Sequence, residues 1–287
     1  IWKDEHIPKL KDIVEFCQSH GSLMGIQLAH AGRKASCVPP FEGRHQIRPD
    51  QPDGWQTLGP STIGFRDTDA PPLAMEEEDI EKLKQDYISA IRRSKELGYD
   101  VLEIHAAHGY LLHQFLSPLS NKRKDKYGGS FENRIRLVLE IVEIAKKEWG
   151  EEKPFFVRVS ATDWTEDGWN IEETIELSKK LRALGVDLID VSSGGNAAVA
   201  NIPVFPGYQV EFAEKIKAQA GILTGAVGKI TTGKQSEEIL QKGQADLIFY
   251  ARETLRQPYL PLIAADELDE EVTWPKEYER ARRRKTK

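Results

Sequence analysis

Two histidines and a tyrosine stand close together after an apolar run that is typical of a buried strand. His105 and His108 are three residues apart, and Tyr110 follows two residues later. Two imidazoles with this spacing can point at one small atom, either as donors that polarise an oxygen or as ligands of a metal ion. A metal ion would need a third ligand, and the spacing marks none. The remaining alternative is that the histidines only satisfy carbonyl groups of the loop.

A tyrosine and an arginine add a proton donor and a cation to this set. The hydroxyl of Tyr110 could protonate a developing carbanion or enolate, or the ring could simply pack in the core. Arg158 lies near the end of the apolar run 155–159, where a guanidinium is costly unless it meets an anion or carbonyl oxygens. It is either a ligand contact or half of a buried ion pair with Asp163 or Asp190.

Glycines and one arginine follow the last two apolar runs of the chain. In LTGAVGKI, the backbone N–H groups of Gly225 and Gly228 are free to approach a phosphate. In ADLIFYARETL, Ala251 and Arg252 come just before a predicted helix, whose N-terminus favours anions. TIM barrels often bind phosphate through the loops after their last two strands, so these loops predict a phosphate site, although a lone glycine-rich turn is more often structural.

Six short apolar runs alternate with helix-like segments, most of which end in glycine. Such runs suit strands buried on both faces, and glycine is the usual residue after a helix C-terminus. The predicted class is therefore α/β, with a parallel sheet built from right-handed βαβ units. The runs are 23–28, 101–104, 155–159, 188–191, 222–224 and 247–250.

Polar side chains follow almost every run, which favours a TIM barrel over a doubly wound sheet. A barrel gathers its site from the ends of many strands, whereas a doubly wound sheet concentrates it at one switch point. Six strands do not close an eight-stranded barrel, and residues 35–75 are too rich in Pro, Gly and charge to supply central strands. We therefore predict one domain over residues 1–287, a TIM (β/α)8 barrel lacking its first two strands, with 35–75 as a long loop over the barrel mouth.

The composition excludes several classes of function. A net charge of −6 and a pI near 5.8 give no reason to expect nucleic acid as a partner. No apolar stretch approaches the roughly 20 residues of a membrane helix, and the chain does not open with a signal peptide. Two cysteines, Cys17 and Cys37, are too few for a disulfide framework, which favours a cytoplasmic location.

Seven segments of the chain match a known family in order. They are GIQLAHAGRKAS, GYDVLEIHAAHGYLLHQFLSPLSNKRKDKYGGSFENR, FFVRVSATDW, GVDLIDVSSGG, FPGYQVEFAEKI, LTGAVGKI and ADLIFYARETLRQP. They resemble the Old Yellow Enzyme family of FMN-dependent NADPH dehydrogenases, or ene-reductases, and most closely its subclass with HxxH in place of HxxN. The resemblance implies an eight-stranded barrel that holds FMN at its mouth. It also implies reduction by NADPH and reoxidation by α,β-unsaturated carbonyl compounds.

The resemblance also implies which residues hold the flavin. Gln27 and Arg158 would bind the pyrimidine edge of FMN, and Arg158 would stabilise the negative charge of the reduced ring. The phosphate group would be held by three residues with two serines nearby. These five are Gly228, Ala251, Arg252, Ser192 and Ser193.

The substrate contacts follow from the same resemblance. His105 and His108 would donate hydrogen bonds to the carbonyl oxygen of the acceptor, and Tyr110 would protonate the α-carbon. In this subclass a C-terminal arginine can reach a neighbouring subunit's active site, and Arg280 stands at the matching place, followed by a basic tail at 281–287. No metal ion is predicted.

Two departures from the family pattern bear on activity. Relatives carry roughly 70 to 80 further residues before the start of this chain, which would supply the first two of the eight strands. Exposed sheet edges would then favour association into a homo-oligomer. Ala251 stands where many relatives have glycine, but its backbone N–H is retained.

The alternatives to an active reductase are an inactive truncated remnant and a metal-dependent barrel hydrolase or lyase that uses the two histidines as ligands.

Overall fold

Helices and parallel strands alternate along the chain in the computed structural model, which describes residues 1–282. The strands are β1 (Gly25–Leu28), β2 (Leu58–Gly59), β3 (Leu73–Ala74), β4 (Val101–Ala106), β5 (Phe155–Ser160), β6 (Leu188–Ser192), β7 (Leu223–Ala226) and β8 (Leu247–Ile248). The α-helices are α1 (Ile7–Ser19), α2 (Glu77–Glu96), α3 (Leu111–Leu116), α4 (Phe131–Trp149), α5 (Ile171–Ala183), α6 (Val210–Ala220), α7 (Gly233–Gln241), α8 (Arg252–Arg256) and α9 (Leu260–Leu268).

The main sheet contains the six strands that the apolar runs predict, so the α/β class and the parallel arrangement are confirmed. Its order is β1-β4-β5-β6-β7-β8, and every neighbouring pair is parallel. In the described range β1 and β8 each pair on one side only, so the curled sheet stays open. The idea that two further strands would close it stays a prediction.

The helices end where the glycine pattern predicts. Four glycines directly follow helical segments with positive φ angles of 69° to 84°, a backbone conformation that glycine adopts without strain. Since each glycine turns the chain towards the next strand, these residues fix the length of the βαβ units. The four are Gly21, Gly98, Gly185 and Gly243.

The main sheet has one apolar face and one polar face, and the strand register shows which residues lie on each. Ile104 pairs with Val157, which pairs with Ile189, and all three have no exposed surface, because they face the helices. The next register position pairs His105 with Arg158, and Arg158 with Asp190. Successive side chains of a strand point to opposite faces, so this polar row lies on the inner face of the curled sheet.

The segment 35–75 is mostly irregular. It contains a short 3₁₀ helix at Pro40–Glu42 and the two-stranded parallel sheet of β2 and β3. Arg33 and Arg123 tie it to the rest of the domain: the Arg33 guanidinium donates to the carbonyl oxygens of Ile63 and Gly64 at 3.3 and 3.1 Å, and Arg123 donates to Pro60 O at 3.2 Å. None of the helices within residues 1–282 is both long and apolar enough to cross a membrane.

Candidate active site

A strained turn after β4 carries the second histidine of the HxxH motif. His108 and Gly109 both have left-handed backbones, with φ of 57° and 70°, and Tyr110 N donates to Ala107 O at 3.1 Å to close the turn. A left-handed conformation costs a residue with a side chain about 1 kcal/mol, so surrounding contacts must hold it.

Side chains from distant parts of the chain hold the backbone of His108. Its N–H donates to Ser160 Oγ at 2.9 Å, and its carbonyl accepts from Lys34 Nζ at 2.8 Å. Lys34 also donates to Gly195 O at 2.8 Å. The turn is therefore tied to the ends of β5 and β6 and to the segment after β1.

Gly109 is held just as firmly from the following helix. Its N–H donates to His113 Nδ1 at 2.9 Å, and its carbonyl accepts from Gln114 Nε2 at 2.7 Å. A Cβ atom at this position would lie 2.2 Å from Gly195 O. Only glycine fits there, because both the backbone angle and the close approach of the 195 carbonyl exclude a side chain.

The structure brings His105, His108 and Tyr110 together as the spacing predicts. The ring centroid of His105 lies 5.1 Å from that of His108 and 5.2 Å from that of Tyr110. His105 Nδ1 is buried without a hydrogen-bond partner. The Tyr110 hydroxyl likewise makes no hydrogen bond to any described residue, so neither group is committed to another protein group.

Both histidines are neutral at physiological pH. Burial lowers the pKa of His105 to about 3 and that of His108 to about 2, and the positive charge of Arg158 adds to the effect. Each imidazole therefore carries one N–H and one lone pair, which suits hydrogen bonding to a neutral carbonyl oxygen.

Arg158 projects from β5 with its terminal nitrogens unpaired. Its Nε lies 3.1 Å from Asp190 Oδ2, a charge contact without hydrogen-bond geometry, and the guanidinium makes no hydrogen bond to the described residues. Of the two ion-pair partners that the sequence suggested, Asp190 is therefore the neighbour. Burial raises the pKa of Asp190 to about 7 even though Arg158 lowers it, so this carboxyl neutralises the guanidinium incompletely.

Gln27 lies at the open edge of the sheet. It is exposed, and its Nε2 donates to Glu103 Oε1 at 2.5 Å. Burial raises the pKa of Glu103, while the hydrogen bond from Gln27 and the charge of Arg158 lower it. Gln27 thus shares the inner face with Arg158, as a pair of contacts to one ring would require.

Ser192 and Ser193 are already engaged with protein groups. Ser192 Oγ lies 2.7 Å from His108 Nε2. Ser193 Oγ donates to Gln209 Oε1 at 2.5 Å and accepts from Trp164 Nε1 at 2.9 Å. Their hydroxyls therefore orient the site, whereas their predicted place beside a phosphate stays untested.

The residues predicted to hold a phosphate lie at the carboxyl ends of β7 and β8. Gly228 has a φ of 127°, and a Cβ there would lie 3.1 Å from the Tyr208 ring. The charge of Arg252 lowers the pKa of that same Tyr208, against the raising effect of burial, so Arg252 and Gly228 share one neighbour. The backbone N–H groups of Gly228 and Ala251 donate to no described group.

Two predictions concern the C-terminal end of the chain. Arg280 is exposed on the 3₁₀ helix Lys276–Ala281, and its predicted reach into a neighbouring subunit stays a prediction. Of the predicted basic tail 281–287, residues 283–287 lie outside the described residues.

Sequence reasoning missed the role of Lys34. Its ammonium lies 4.3 Å from the centroid of the Phe65 ring and 5.5 Å from that of Tyr110. Burial, with smaller effects of Arg33 and Arg66, lowers the pKa of Lys34 to about 8. The run GRK at 32–34, separated from the first strand by three residues, was the available signal, because a cation close to a strand end is placed near the site by the fold.

A metal centre gains no support from the geometry. Among residues 1–282 there is no group of three or more His, Cys, Asp and Glu side chains that could hold a metal ion. The alternative of a metal-dependent hydrolase or lyase therefore has no candidate ligand set in this part of the chain.

Comparison with known proteins shows which family this chain belongs to. The model of the NADH:flavin oxidoreductase / NADH oxidase family matches residues 1–271. An NADPH dehydrogenase of Bacillus subtilis (strain 168) is 50% identical over 280 residues, which cover 98% of this chain and 77% of the relative.

Solved structures share the fold as well. The old yellow enzyme homologue from Zymomonas mobilis superposes with a TM-score of 0.74 and 26% identity, covering 95% of this chain and 74% of the homologue. A 2-naphthoyl-CoA reductase in complex with 2-naphthoyl-CoA gives a TM-score of 0.81 and 28% identity, covering 92% of this chain and 41% of that protein.

Proposed function

The chain belongs to the NADH:flavin oxidoreductase / NADH oxidase family, and we propose that it binds FMN, accepts electrons from NADPH and reduces the activated C=C bond of α,β-unsaturated carbonyl compounds. The family match and the old yellow enzyme homologue confirm the resemblance drawn from the motifs. It is an oxidoreductase, and its relatives over nearly the full chain are NADPH dehydrogenases.

The residues present fit a flavin. Arg158 offers unpaired guanidinium nitrogens on the inner face, where an electron-rich ring edge would neutralise them. Gln27 lies on the same face, and the unpaired N–H groups of Gly228 and Ala251, with Arg252 beside them, suit a phosphate. FMN would supply the hydride chemistry, taking up a hydride from NADPH and giving it to the alkene.

Two neutral imidazoles bind the carbonyl oxygen of the substrate in this proposal. If the Ser192 hydroxyl donates to His108 Nε2 at 2.7 Å rather than to the more distant Gln209 Oε1 at 3.5 Å, the single proton of that imidazole lies on Nδ1 and can be donated to a ligand. His105 has an unpaired Nδ1 in the same place. Hydrogen bonds to the carbonyl draw electron density from the β-carbon and stabilise the enolate that develops on hydride addition.

Tyr110 completes the reaction as the acid. Its hydroxyl makes no hydrogen bond to a described residue, and its ring packs against His105, one of the two histidines proposed to bind the carbonyl. It donates a proton to the α-carbon as the hydride arrives at the β-carbon. The phenolate that remains lies near the Lys34 ammonium, which sits 5.5 Å from the ring centroid.

One observation carries the proposal. His105 Nδ1 and the Arg158 guanidinium are both buried or half-buried, both on the inner face of the sheet, and both without a hydrogen-bond partner. Unpaired polar groups inside a protein are costly, so such a pair indicates a ligand with acceptor atoms on that face.

The test is an anaerobic absorbance titration of this chain. FMN is added first, and protein-bound flavin bands are expected. NADPH should bleach them, and 2-cyclohexen-1-one should restore them with formation of cyclohexanone. Cyclohexanone itself, which lacks the C=C bond, is the matched control and should restore nothing. A protein that binds no FMN, or whose reduced flavin ignores the enone, would refute the proposal.

A further inference from the structure

A buried acid and histidine lie directly beneath the turn, and the proposed chemistry uses neither. His113 and Asp163 have no exposed side-chain surface, and His113 Nε2 lies 3.1 Å from Asp163 Oδ1. The contact is bent away from ideal hydrogen-bond geometry, but neither atom bonds to any other described group. Each is therefore the only available partner of the other.

The other nitrogen of His113 fixes its proton. Nδ1 accepts the Gly109 N–H at 2.9 Å, so it must carry a lone pair and not a proton. A neutral imidazole then carries its proton on Nε2, which faces Asp163. The hydrogen bond to Gly109 and the contact with Asp163 thus require the same tautomer.

The orientation and the charge of the Asp163 carboxylate are both fixed by its other contacts. Its Oδ2 accepts from Ser117 Oγ at 2.5 Å and from Trp169 N at 3.0 Å. Burial favours the neutral acid, but these contacts and His113 together hold the pKa of Asp163 below its usual value. The ionised carboxylate therefore presents one acceptor oxygen, Oδ1, to His113 and the other, Oδ2, to Ser117 and Trp169.

We propose that Asp163, acting through His113, is a positioning element of the active site that holds the Gly109 N–H and so keeps His108 and Tyr110 in place on their strained turn. The two residues are not catalytic, since they touch neither the reacting atoms nor the cofactor contacts. The kinetic part of this inference rests on the proposed reductase function, whereas its structural part does not.

An amide in place of the carboxylate shows why the charge is needed. If the amide nitrogen of Asp163→Asn faced His113, the imidazole would have to move its proton to Nδ1, where it would oppose the Gly109 N–H. If it faced the other way, it would oppose the Trp169 N–H. Either orientation leaves two donors pointing at each other, which costs as much as an unpaired buried group.

Two substitutions at His113 separate its acceptor from its bulk. His113→Phe keeps the ring and removes the acceptor, while His113→Asn keeps an oxygen close to where Nδ1 lies. Hydrogen exchange of the Gly109 amide should be about tenfold faster in the first variant and within about threefold of wild type in the second. With FMN loaded, kcat for the enone should fall roughly 10- to 100-fold in His113→Phe, since a small displacement of donor groups has effects of this size.

Trp149→Phe is the matched control. It removes a partly buried hydrogen bond, from Trp149 Nε1 to Pro154 O at 3.2 Å, at the opposite end of the sheet. It should lower stability without changing Gly109 exchange, kcat or FMN affinity. A kcat loss common to this control and His113→Phe would reduce the pair to a general structural role.

A measurement on the wild-type protein keeps the inference testable even if a variant does not fold. Nitrogen-15 labelling of histidine should show His113 with a bare Nδ1 and a protonated Nε2 at pH 7.5, and Asp163→Asn should disturb this pattern. A proton on Nδ1 in the wild type, or Gly109 exchange that His113→Phe leaves unchanged, would overturn the proposal. Neither readout needs turnover, so an absence of enone reduction in the wild type would count only against the proposed function.

Discussion

His108 Nε2 lies 2.7 Å from Ser192 Oγ, a contact that joins the turn after β4 to the end of β6. The adjacent Ser193 shares Gln209 with Ser192, at 2.5 Å against 3.5 Å, and also accepts from Trp164 but makes no contact with His108. Of the two neighbouring serines, only Ser192 touches His108, so only Ser192 can orient that imidazole.

Substitution of Ser192 separates this role from phosphate binding. Ser192→Ala should slow reoxidation of the reduced enzyme by 2-cyclohexen-1-one roughly tenfold, because His108 loses its orienting partner. Its Kd for FMN should stay within about twofold. Ser193→Ala is the control and should leave the enone step unchanged. Weaker FMN binding with a normal enone step in Ser192→Ala would favour the phosphate role that the sequence suggested.

Arg158 should decide flavin affinity. Arg158→Met removes the unpaired guanidinium, and the Kd for FMN should rise about 10- to 100-fold, the usual effect of losing a charged hydrogen bond. Asp190 then loses its cation, but its raised pKa lets it stay neutral, so the fold should survive. Arg92→Met, which only breaks the surface pair with Glu148, should bind FMN as the wild type does. Equal affinity in both variants, measured by fluorescence titration, would exclude Arg158 as a flavin contact.

Asp190 should make stability depend on pH. Its pKa near 7 lies above that of an unfolded aspartate, so the folded state holds a proton that the unfolded chain has released. This contribution is complete at pH below about 4 and is lost as pH rises through 7. Between pH 5 and 8, the flavin-free wild type should lose about 2 to 3 kcal/mol relative to Asp190→Asn in urea unfolding. Parallel pH profiles for the two proteins would show that Asp190 is ionised throughout.

Two glycines with similar backbones should respond differently to alanine. Gly98 has a φ of 80° with open space around it, so Gly98→Ala should cost only the backbone strain, about 1 kcal/mol. Gly109→Ala adds a clash with the Gly195 carbonyl and should cost about 3 kcal/mol or more. Thermal unfolding measures both. Equal losses would mean that the turn can shift away from the 193–196 segment.

The sequence predicted the strands and the residues at their ends because both follow from local rules. Apolar runs and terminal glycines identified all six strands of the main sheet, and the carboxyl ends of parallel strands necessarily meet, which brought His105 and Arg158 together. A buried arginine in a strand also had to find a partner, although two carboxylates were equally available in the sequence.

The partners inside the site could not be read from the sequence, since they depend on three-dimensional placement. Lys34 and Ser160 meet the backbone of His108 from positions 74 and 52 residues away, and no spacing rule connects them. The resemblance places Ser192 near a phosphate, which stays a prediction, whereas its contact with His108 had no signal in the sequence. The left-handed backbone of His108 was equally invisible, because histidine carries no sequence mark for that conformation.

The turn at 107–110 also bears on the order in which the parts of the protein fold. Its strain disfavours it in an isolated peptide, and three of the side chains that hold it come from 52, 74 and 84 residues away. These contacts exist only once β4, β5 and β6 have assembled, so the turn cannot nucleate folding and must form late.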